Sequence, residues 1–377
     1  MKERLYYLDW LRVIAILILH FYHTAAIFTL PHFMIKNNEL SPLLGEINQF
    51  FHEWRLALLF FVSGAGTAFA LGFRGTGTYV TERVKRLLVP LLFGVLLIIP
   101  PQVYIERISQ GFEFSSFLEF LKQLPESGLY PAGNISWHHL WFVGYLFLFS
   151  LLALPLFIYF RTDKGKNHMM LFSNRINRPV HLLLWSLPIM VIMVMLTPIS
   201  TGVQNIVNDS SMFFSYFFFF IFGYLIHTGN LWEKLATGRL LFFKIAFLCT
   251  AVLYYLRWTN AIPVNPESAG YIIYHCLNAM NSWAWVITIT GYGVRYLNIK
   301  SPLIIIANKG IYPFYILHQT IIIIVAYYIL PFNDSLFIKY AFISLFSLVL
   351  IIGLLLIFIA PFRLTRFLFG MKNERDF

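Results

Sequence analysis

The chain of 377 residues is 59% hydrophobic and only 12% charged, with a formal net charge of +11 and a mean hydropathy of +0.70. Soluble domains are about 25% charged. This composition therefore excludes a soluble enzyme, a disordered chain and, because only two cysteines are present, a disulfide-stabilised scaffold.

Ten apolar runs are long enough to form membrane helices, each of which needs about 20 mostly apolar residues. We predict an all-α integral membrane protein, a bundle of about ten transmembrane helices that forms a single domain over residues 1–377. The predicted spans are 8–30, 48–72, 86–106, 138–160, 180–198, 211–228, 239–258, 271–294, 303–330 and 337–361.

The positions of Lys and Arg predict the orientation of the bundle. If the N-terminus is cytoplasmic, 19 basic residues fall in cytoplasmic segments, among them Lys2, Lys372 and Arg375. Five fall in external segments, namely Lys36, Arg107, Lys122, Arg257 and Lys339. Because basic residues accumulate on the cytoplasmic side, both termini are predicted there, with an even number of spans. Binding of nucleic acid is not indicated.

The first span carries an unusual set of ionisable residues, and such groups inside a membrane are functional candidates by default. Arg12 and His23 are eleven residues apart, so they share a helix face and lie roughly 16 Å apart along its axis. Asp9 can pair with Arg12. Two alternatives stay open, a snorkelling Arg12 and a His23 that only satisfies a neighbouring helix. For His20, which lies about 60° from the His23 face, helix packing is favoured.

Arg83 and Arg86 form an Arg-x-x-Arg pair where the third span leaves the cytoplasm. In a helix both side chains would face similar directions and could grip phosphates, although ordinary cytoplasmic charges would give the same pattern. Gly64 and Gly66, at the end of the second span, indicate close helix packing.

Four further residues are weaker candidates for substrate binding. Arg55 lies at the outer start of the second span and could line an acceptor cavity. His139 and Trp141 begin the fourth span, where an aromatic interfacial belt is the alternative. His318 lies in the middle of the ninth span, where helix packing is the alternative. No motif for ATP hydrolysis, metal binding or a serine nucleophile is present, so no metal site is predicted.

These motifs together resemble the membrane-bound acyltransferase family 3, and among its members the glucan succinyltransferase branch. The resemblance covers essentially the whole chain. Its elements are Leu8-Asp9-Trp10-Leu11-Arg12 with the later His23, Phe60-Phe61-Val62-Ser63-Gly64, Arg83-Val84-Lys85-Arg86, His139-Leu140-Trp141-Phe142, and Ile311-Tyr312-Pro313-Phe314-Tyr315-Ile316-Leu317-His318.

The resemblance implies a multi-pass acyltransferase of the bacterial cytoplasmic (inner) membrane. It would take an acyl group, acetyl or succinyl, from cytoplasmic acyl-coenzyme A as a co-substrate, with no tightly bound cofactor. The acceptor would be a hydroxyl of an extracytoplasmic glycan. The family's essential histidine corresponds to His23, its first-span arginine to Arg12, and its coenzyme A-associated pair to Arg83 and Arg86. A homo-oligomer is compatible with the sequence.

Two other classes stay open. A transporter or flippase for a glycan or envelope precursor would also have about ten spans and intramembrane histidines and arginines. The absence of an internal repeat in the sequence disfavours it. The unrelated membrane-bound O-acyltransferase family shares the chemistry but not these motifs.

Overall fold

The chain is all-helical in the computed structural model, which describes residues 4–30, 33–201, 205 and 208–371. These residues contain no strand, only an isolated bridge between Leu129 and Ile135. Lys2, Lys372 and Arg375, which contribute to the predicted charge bias, lie outside the described residues.

Seventeen α-helices, of 5 to 28 residues, make up most of the described part of the chain. They are α1 Tyr6–Ala26, α2 Pro42–His52, α3 Arg55–Leu71, α4 Thr76–Arg83, α5 Val89–Phe93, α6 Pro100–Ser109, α7 Phe117–Gln123, α8 Trp141–Leu152, α9 Leu154–Arg161, α10 Asp163–Arg175, α11 Leu187–Leu196, α12 Ser210–Thr228, α13 Trp232–Trp258, α14 Ala269–Tyr296, α15 Pro302–Ile329, α16 Leu336–Leu354 and α17 Arg363–Leu368. π-helical turns continue the chain at Val84–Leu88, Gly94–Ile98 and Leu355–Ile359, and 3-10 turns form at Leu124–Glu126, His138–Leu140, Pro179–Ser186 and Thr197–Ile199.

Eight helices in the described part of the chain are long and apolar enough to cross a membrane, and nine if the bent pair His138–Leu152 and Leu154–Arg161 is one span. They correspond to nine of the ten predicted spans. The predicted span 271–294 is also helical, as α14, but it is not among these apolar helices. The all-helical membrane architecture is confirmed, while the number ten and the cytoplasmic termini stay predictions.

Contacts within the chain divide it into two compact units, each assembled from three separate segments. Unit 1 comprises Met1–Ala15, His52–Val80 and Leu148–Ile304, and unit 2 comprises Ile16–Phe51, Thr81–Phe147 and Ile305–Phe377. A single domain over the whole chain stays a prediction.

The core of unit 1 is a close crossing of α3 and α12 beside a cluster of aromatic rings. A Cβ atom on Gly64 would lie 1.8 Å from the Phe220 carbonyl oxygen, and one on Gly223 would lie 1.8 Å from the Phe61 carbonyl oxygen. The close packing predicted for Gly64 is thus confirmed, and its partner is a second glycine. Trp283 of α14 is fully buried and donates its indole N–H to the Leu182 carbonyl at 2.7 Å.

Unit 2 contains the end of α1, most of the third span, most of α15, α16 and the loop after α7. Arg107 holds this loop, because its guanidinium donates to Asn134 Oδ1 at 2.8 Å and to the carbonyl oxygens of Pro131 at 2.7 Å and Gly133 at 2.8 Å. The Tyr130 hydroxyl donates to Glu106 at 2.9 Å. Burial, followed by the Glu106 carboxylate, raises the pKa of Tyr130 to about 12, so this hydroxyl keeps its proton near neutral pH.

Candidate functional site

The central feature of unit 2 is a pair of stacked imidazoles. His23, in the last turn of α1, contributes Nδ1, which lies 2.8 Å from Nε2 of His318 in the middle of α15. The two rings are 5.0 Å apart and inclined by only 9°. His318 is fully buried, whereas His23 is half-buried. A half-buried ring supported by a buried one can reach a substrate without losing its orientation.

The hydrogen bonds of His318 determine which nitrogens of the pair carry protons. His318 Nδ1 faces the carbonyl oxygen of Tyr315, which can only accept, so Nδ1 carries the hydrogen. In a neutral His318 ring, Nε2 is then the acceptor. His23 Nδ1 must therefore donate to it, which leaves the lone pair of a neutral His23 on Nε2. This is the tautomer that a general base at Nε2 requires.

His139 packs against the same pair, but its hydrogen bonds leave it no ring nitrogen that could act as a base. Its Nε2–H donates to the Ile316 carbonyl at 3.1 Å, and its Nδ1 accepts from Gln102 at 3.5 Å. Its ring meets the His318 ring edge to face at 5.0 Å. Both ring nitrogens of His139, like both of His318, are engaged within the protein. Their predicted binding of substrate is therefore less well supported than a role in positioning the imidazole pair.

A network of uncharged polar side chains supports these histidines. Gln102 Nε2 donates to Thr320 Oγ1 at 2.6 Å, Thr320 donates to the Ile98 carbonyl at 2.8 Å, and Gln319 Nε2 donates to Gln102 Oε1 at 3.1 Å. All three side chains are buried. The sequence analysis missed them, because it treated only ionisable groups in the spans as candidates. If glutamines inside the predicted spans had also been treated as candidates, Gln102 and Gln319 would have been found.

His20 has the structural role that its position on the helix indicates. It is fully buried, and its Nε2–H donates to the Ser344 carbonyl on α16 at 2.9 Å. This bond fastens α1 to α16 one turn before His23. The prediction that His20 serves helix packing is confirmed.

Asp9 and Arg12 lie in unit 1, where they form an ion pair. Arg12 Nη1 is 3.4 Å from Asp9 Oδ1, and Arg4 Nη2 is 2.8 Å from Asp9 Oδ2. The predicted pairing of Asp9 with Arg12 is confirmed, with Arg4 as an additional partner. The Arg12 guanidinium also lies 3.7 Å from the place that a Cβ of Gly66 would take, an ordinary van der Waals distance.

The other predicted residues are dispersed over both units. Arg55, the first residue of α3 in unit 1, is 3% exposed. Trp141 is buried in unit 2, where its ring meets Tyr145 at 5.0 Å. A ring buried in this way does not belong to an interfacial belt, and the substrate-binding role of Trp141 stays a prediction.

Arg83 and Arg86 begin the third span in a local conformation that the sequence does not predict. Arg83 ends α4, and Arg86 lies within the π-helical turn Val84–Leu88. Because a π turn is wider than an α turn, Arg86 is rotated farther from Arg83 than in a regular helix. π turns of this kind are frequent at functional sites.

The chain is similar to known proteins over nearly its whole length. The acyltransferase family 3 model, described as an acyltransferase domain, matches residues 5–360. Glucans biosynthesis protein C of Shigella dysenteriae serotype 1 (strain Sd197) is 23% identical over 402 residues, a match that covers 99% of this chain and 97% of that protein. No solved structure matches the chain significantly.

Proposed function

The chain belongs to the acyltransferase family 3, and on this premise we propose that it moves an acetyl or succinyl group from cytoplasmic acyl-coenzyme A to a hydroxyl of an extracytoplasmic glycan. The family membership and the apolar helices make it a multi-pass membrane acyltransferase. The acyl donor, the acceptor, the catalytic base and the bacterial inner membrane belong to the proposal. The observation that supports it best is the hydrogen bond between His23 and His318.

In the proposed reaction His23 Nε2 takes the proton of the acceptor hydroxyl while the hydroxyl oxygen attacks the thioester carbonyl carbon. His23 is then an imidazolium, and His318 Nε2 accepts the hydrogen bond from its Nδ1–H. Collapse of the tetrahedral intermediate breaks the carbon–sulfur bond, and the proton passes from His23 to the leaving sulfur. The products are an ester and free coenzyme A, without an acyl-enzyme. A positioned base typically contributes about 10²–10⁴ in rate.

Arg83 and Arg86 are proposed to hold the phosphates of the donor, because guanidinium groups bind phosphate oxygens with directional, charge-assisted hydrogen bonds. His318 is assigned a positioning role in place of the predicted contact with substrate, since both of its nitrogens are engaged. The roles predicted for Arg12, Asp9 and Arg55 stay predictions.

The experiment compares free coenzyme A release and acyl esters on envelope glycans, the latter by mass spectrometry, for the wild type and three variants. His23→Ala should lower the rate by about 10²–10⁴. His318→Phe keeps the ring shape but removes the acceptor, so we expect a rate between those of the wild type and His23→Ala. His168→Ala, on the exposed surface of α10, is the matched control and should behave as the wild type does.

Near-normal transfer by His23→Ala would contradict the assigned base. If no thioester is consumed and the glycan is trapped inside cells that lack the chain, the protein transports the glycan and the proposed reaction is wrong.

A further inference from the structure

Three segments of unit 2 meet at the Arg-x-x-Arg turn. The Cβ position of Gly370, just after α17, lies 2.7 Å from Cε1 of Tyr312 on α15 and 2.9 Å from the carbonyl oxygen of Arg86. Gly370 has a φ of +67°, a conformation that glycine adopts most readily. The C-terminal segment therefore packs directly on the Tyr312 ring and on the backbone of the phosphate-binding candidates.

Where these three segments meet, the Tyr312 hydroxyl is a buried polar group without an evident role in the protein. Its oxygen is buried, and it has no hydrogen-bond partner among the described residues. It lies close enough to Arg83 for the guanidinium to act on it electrostatically. A buried polar atom without a partner is unfavourable and uncommon in native proteins, so a ligand that supplies the partner would account for it.

The charges around Tyr312 indicate the chemistry of that ligand. Five basic residues belong to the two segments that pack here, namely Arg83, Lys85, Arg86, Arg363 and Arg366. Against them, residues 82–93 and 363–371 contain one acidic residue, Glu82. A phenol O–H next to guanidinium groups is suited to donate to an anionic oxygen, above all that of a phosphate.

One face of α15 connects Tyr312 with the imidazole pair. The Tyr312 and Tyr315 rings are 6.5 Å apart and inclined by 7°, and the Tyr315 and His318 rings are 5.4 Å apart. Tyr312 and His318 are six residues apart, or about 9 Å along the helix. A donor bound at Tyr312 would therefore have a continuous aromatic wall leading to His23.

We propose that Tyr312 is a donor-binding residue whose hydroxyl donates a hydrogen bond to a phosphate oxygen of the acyl donor held by Arg83 and Arg86. This inference rests on the proposed function and adds to it a residue for which the sequence analysis predicts no role. The hydroxyl belongs to the donor side of the reaction and takes no part in proton transfer at His23.

The test measures binding of coenzyme A, KM for the acyl donor and thermal stability of the purified full chain in detergent. Tyr312→Phe removes only the hydroxyl. We expect the Kd for coenzyme A to rise about tenfold, as for a lost hydrogen bond to a charged group, and KM to rise more than kcat falls. The melting temperature should stay the same or increase, because no protein hydrogen bond is lost. Tyr328→Phe, which is 67% exposed on the same helix, should match the wild type.

Unchanged coenzyme A affinity in Tyr312→Phe would overturn the inference, provided that Arg83→Gln weakens binding in the same assay. A lowered melting temperature with unchanged affinity would also overturn it, by assigning Tyr312 a purely structural role. Failure of the wild type to bind coenzyme A would instead overturn the proposed function, and the inference with it.

Discussion

His23 is one of two imidazoles, and its partner determines which of its nitrogens can act as a base. The backbone carbonyl of Tyr315, three residues before His318 in the same helix, sets the direction of these hydrogen bonds. A backbone carbonyl cannot change its role as acceptor, so it fixes the tautomer of both rings while they are neutral. Catalytic aspartates that orient a histidine do the same, but here the orienting group has no charge of its own. An uncharged partner avoids burying an anion between membrane helices.

Asp209, which precedes α12 and is 1% exposed, gives a pH-dependent prediction. Burial raises the pKa of its carboxyl to about 6, although the backbone N–H of Met212 opposes the shift. The folded state thus favours the protonated acid. Relative to a neutral side chain, the stability that Asp209 contributes is fully present below pH of about 4 and is lost as the pH rises through about 6.

Asp209→Asn should therefore raise the melting temperature at pH 7.5 and raise it clearly less at pH 4.5. Asparagine caps a helix about as well as aspartate, so the substitution isolates the charge. Thermal unfolding in detergent at both pH values is the measurement. An equal gain at both would show that the charge of Asp209 is not the cause.

Residue types and spacing predicted much of the site but not its connections. His23, His139 and His318 stood out because ionisable groups are rare in membrane helices. Which nitrogen bonds to which depends on how α1 and α15 approach each other, and a single sequence does not contain that information. Gln102 and Thr320 were missed for another reason: uncharged polar side chains are common enough in apolar helices to attract no notice, and only their burial together makes them a network.

At the scale of helices, the crossing of α3 and α12 depends on two glycines that lie 159 positions apart in the sequence. Each packs on a backbone carbonyl oxygen of the other helix. Gly64→Ala or Gly223→Ala would place a Cβ 1.8 Å from that oxygen, so the helices would have to separate. Overpacking of this kind costs about 1–3 kcal/mol or more, and we expect a clearly lowered melting temperature for either variant.

Gly45→Ala and Gly77→Ala are the matched controls, because a Cβ at either position would meet nothing within 4 Å. Scanning fluorimetry of the four purified proteins separates the two classes. If all four variants melt alike, close backbone contact does not hold this crossing together. The sequence predicted one side of the contact from Gly64 and Gly66, whereas Gly223 lies in a run rich in phenylalanine that gave no comparable pattern.

The third span contains local structure that hydropathy does not predict. Its apolar run predicts one helix, and the chain is indeed helical from Thr76 to Ser109. Hydropathy carries no information about the two π turns inside it. At the second of them Gly94 packs closely on another side chain, as a Cβ there would lie 2.3 Å from Leu140 Cδ1. The π turn that contains Arg86 and the one that begins at Gly94 are thus features that hydropathy does not predict.

For the whole molecule, the number of spans depends on whether α14 crosses the membrane. Its polar composition keeps it outside the set of strongly apolar helices, but the helix is long, with 28 residues. Trp283, Ala284, Val286 and Ile287 have no exposed surface. A helix enclosed by protein does not need the apolar surface that lipid demands, and polar residues facing a bundle interior are tolerated. We therefore expect α14 to span the bilayer, which makes the number of spans even.

Cysteine labelling on the two sides of α14 tests this topology. In a chain with Cys249 and Cys276 replaced by alanine, Val264→Cys lies in the exposed segment before α14 and Lys300→Cys in the exposed segment after it. An impermeant maleimide should label Val264→Cys on intact cells, and Lys300→Cys only after the membrane is opened. The sides expected for these two positions follow from the predicted topology, in which the segments rich in basic residues lie in the cytoplasm.

Labelling of both positions on intact cells would mean that α14 enters and leaves on one side. The number of spans would then be odd, and the termini would lie on opposite sides of the membrane. Gly370 contacts the backbone of Arg86 within unit 2, so the start of the third span and the segment after α17 lie on one side of the membrane, which requires an even number of spans between them. A same-side result would make that number odd. It would therefore contradict this contact, and with it the donor site proposed at Tyr312.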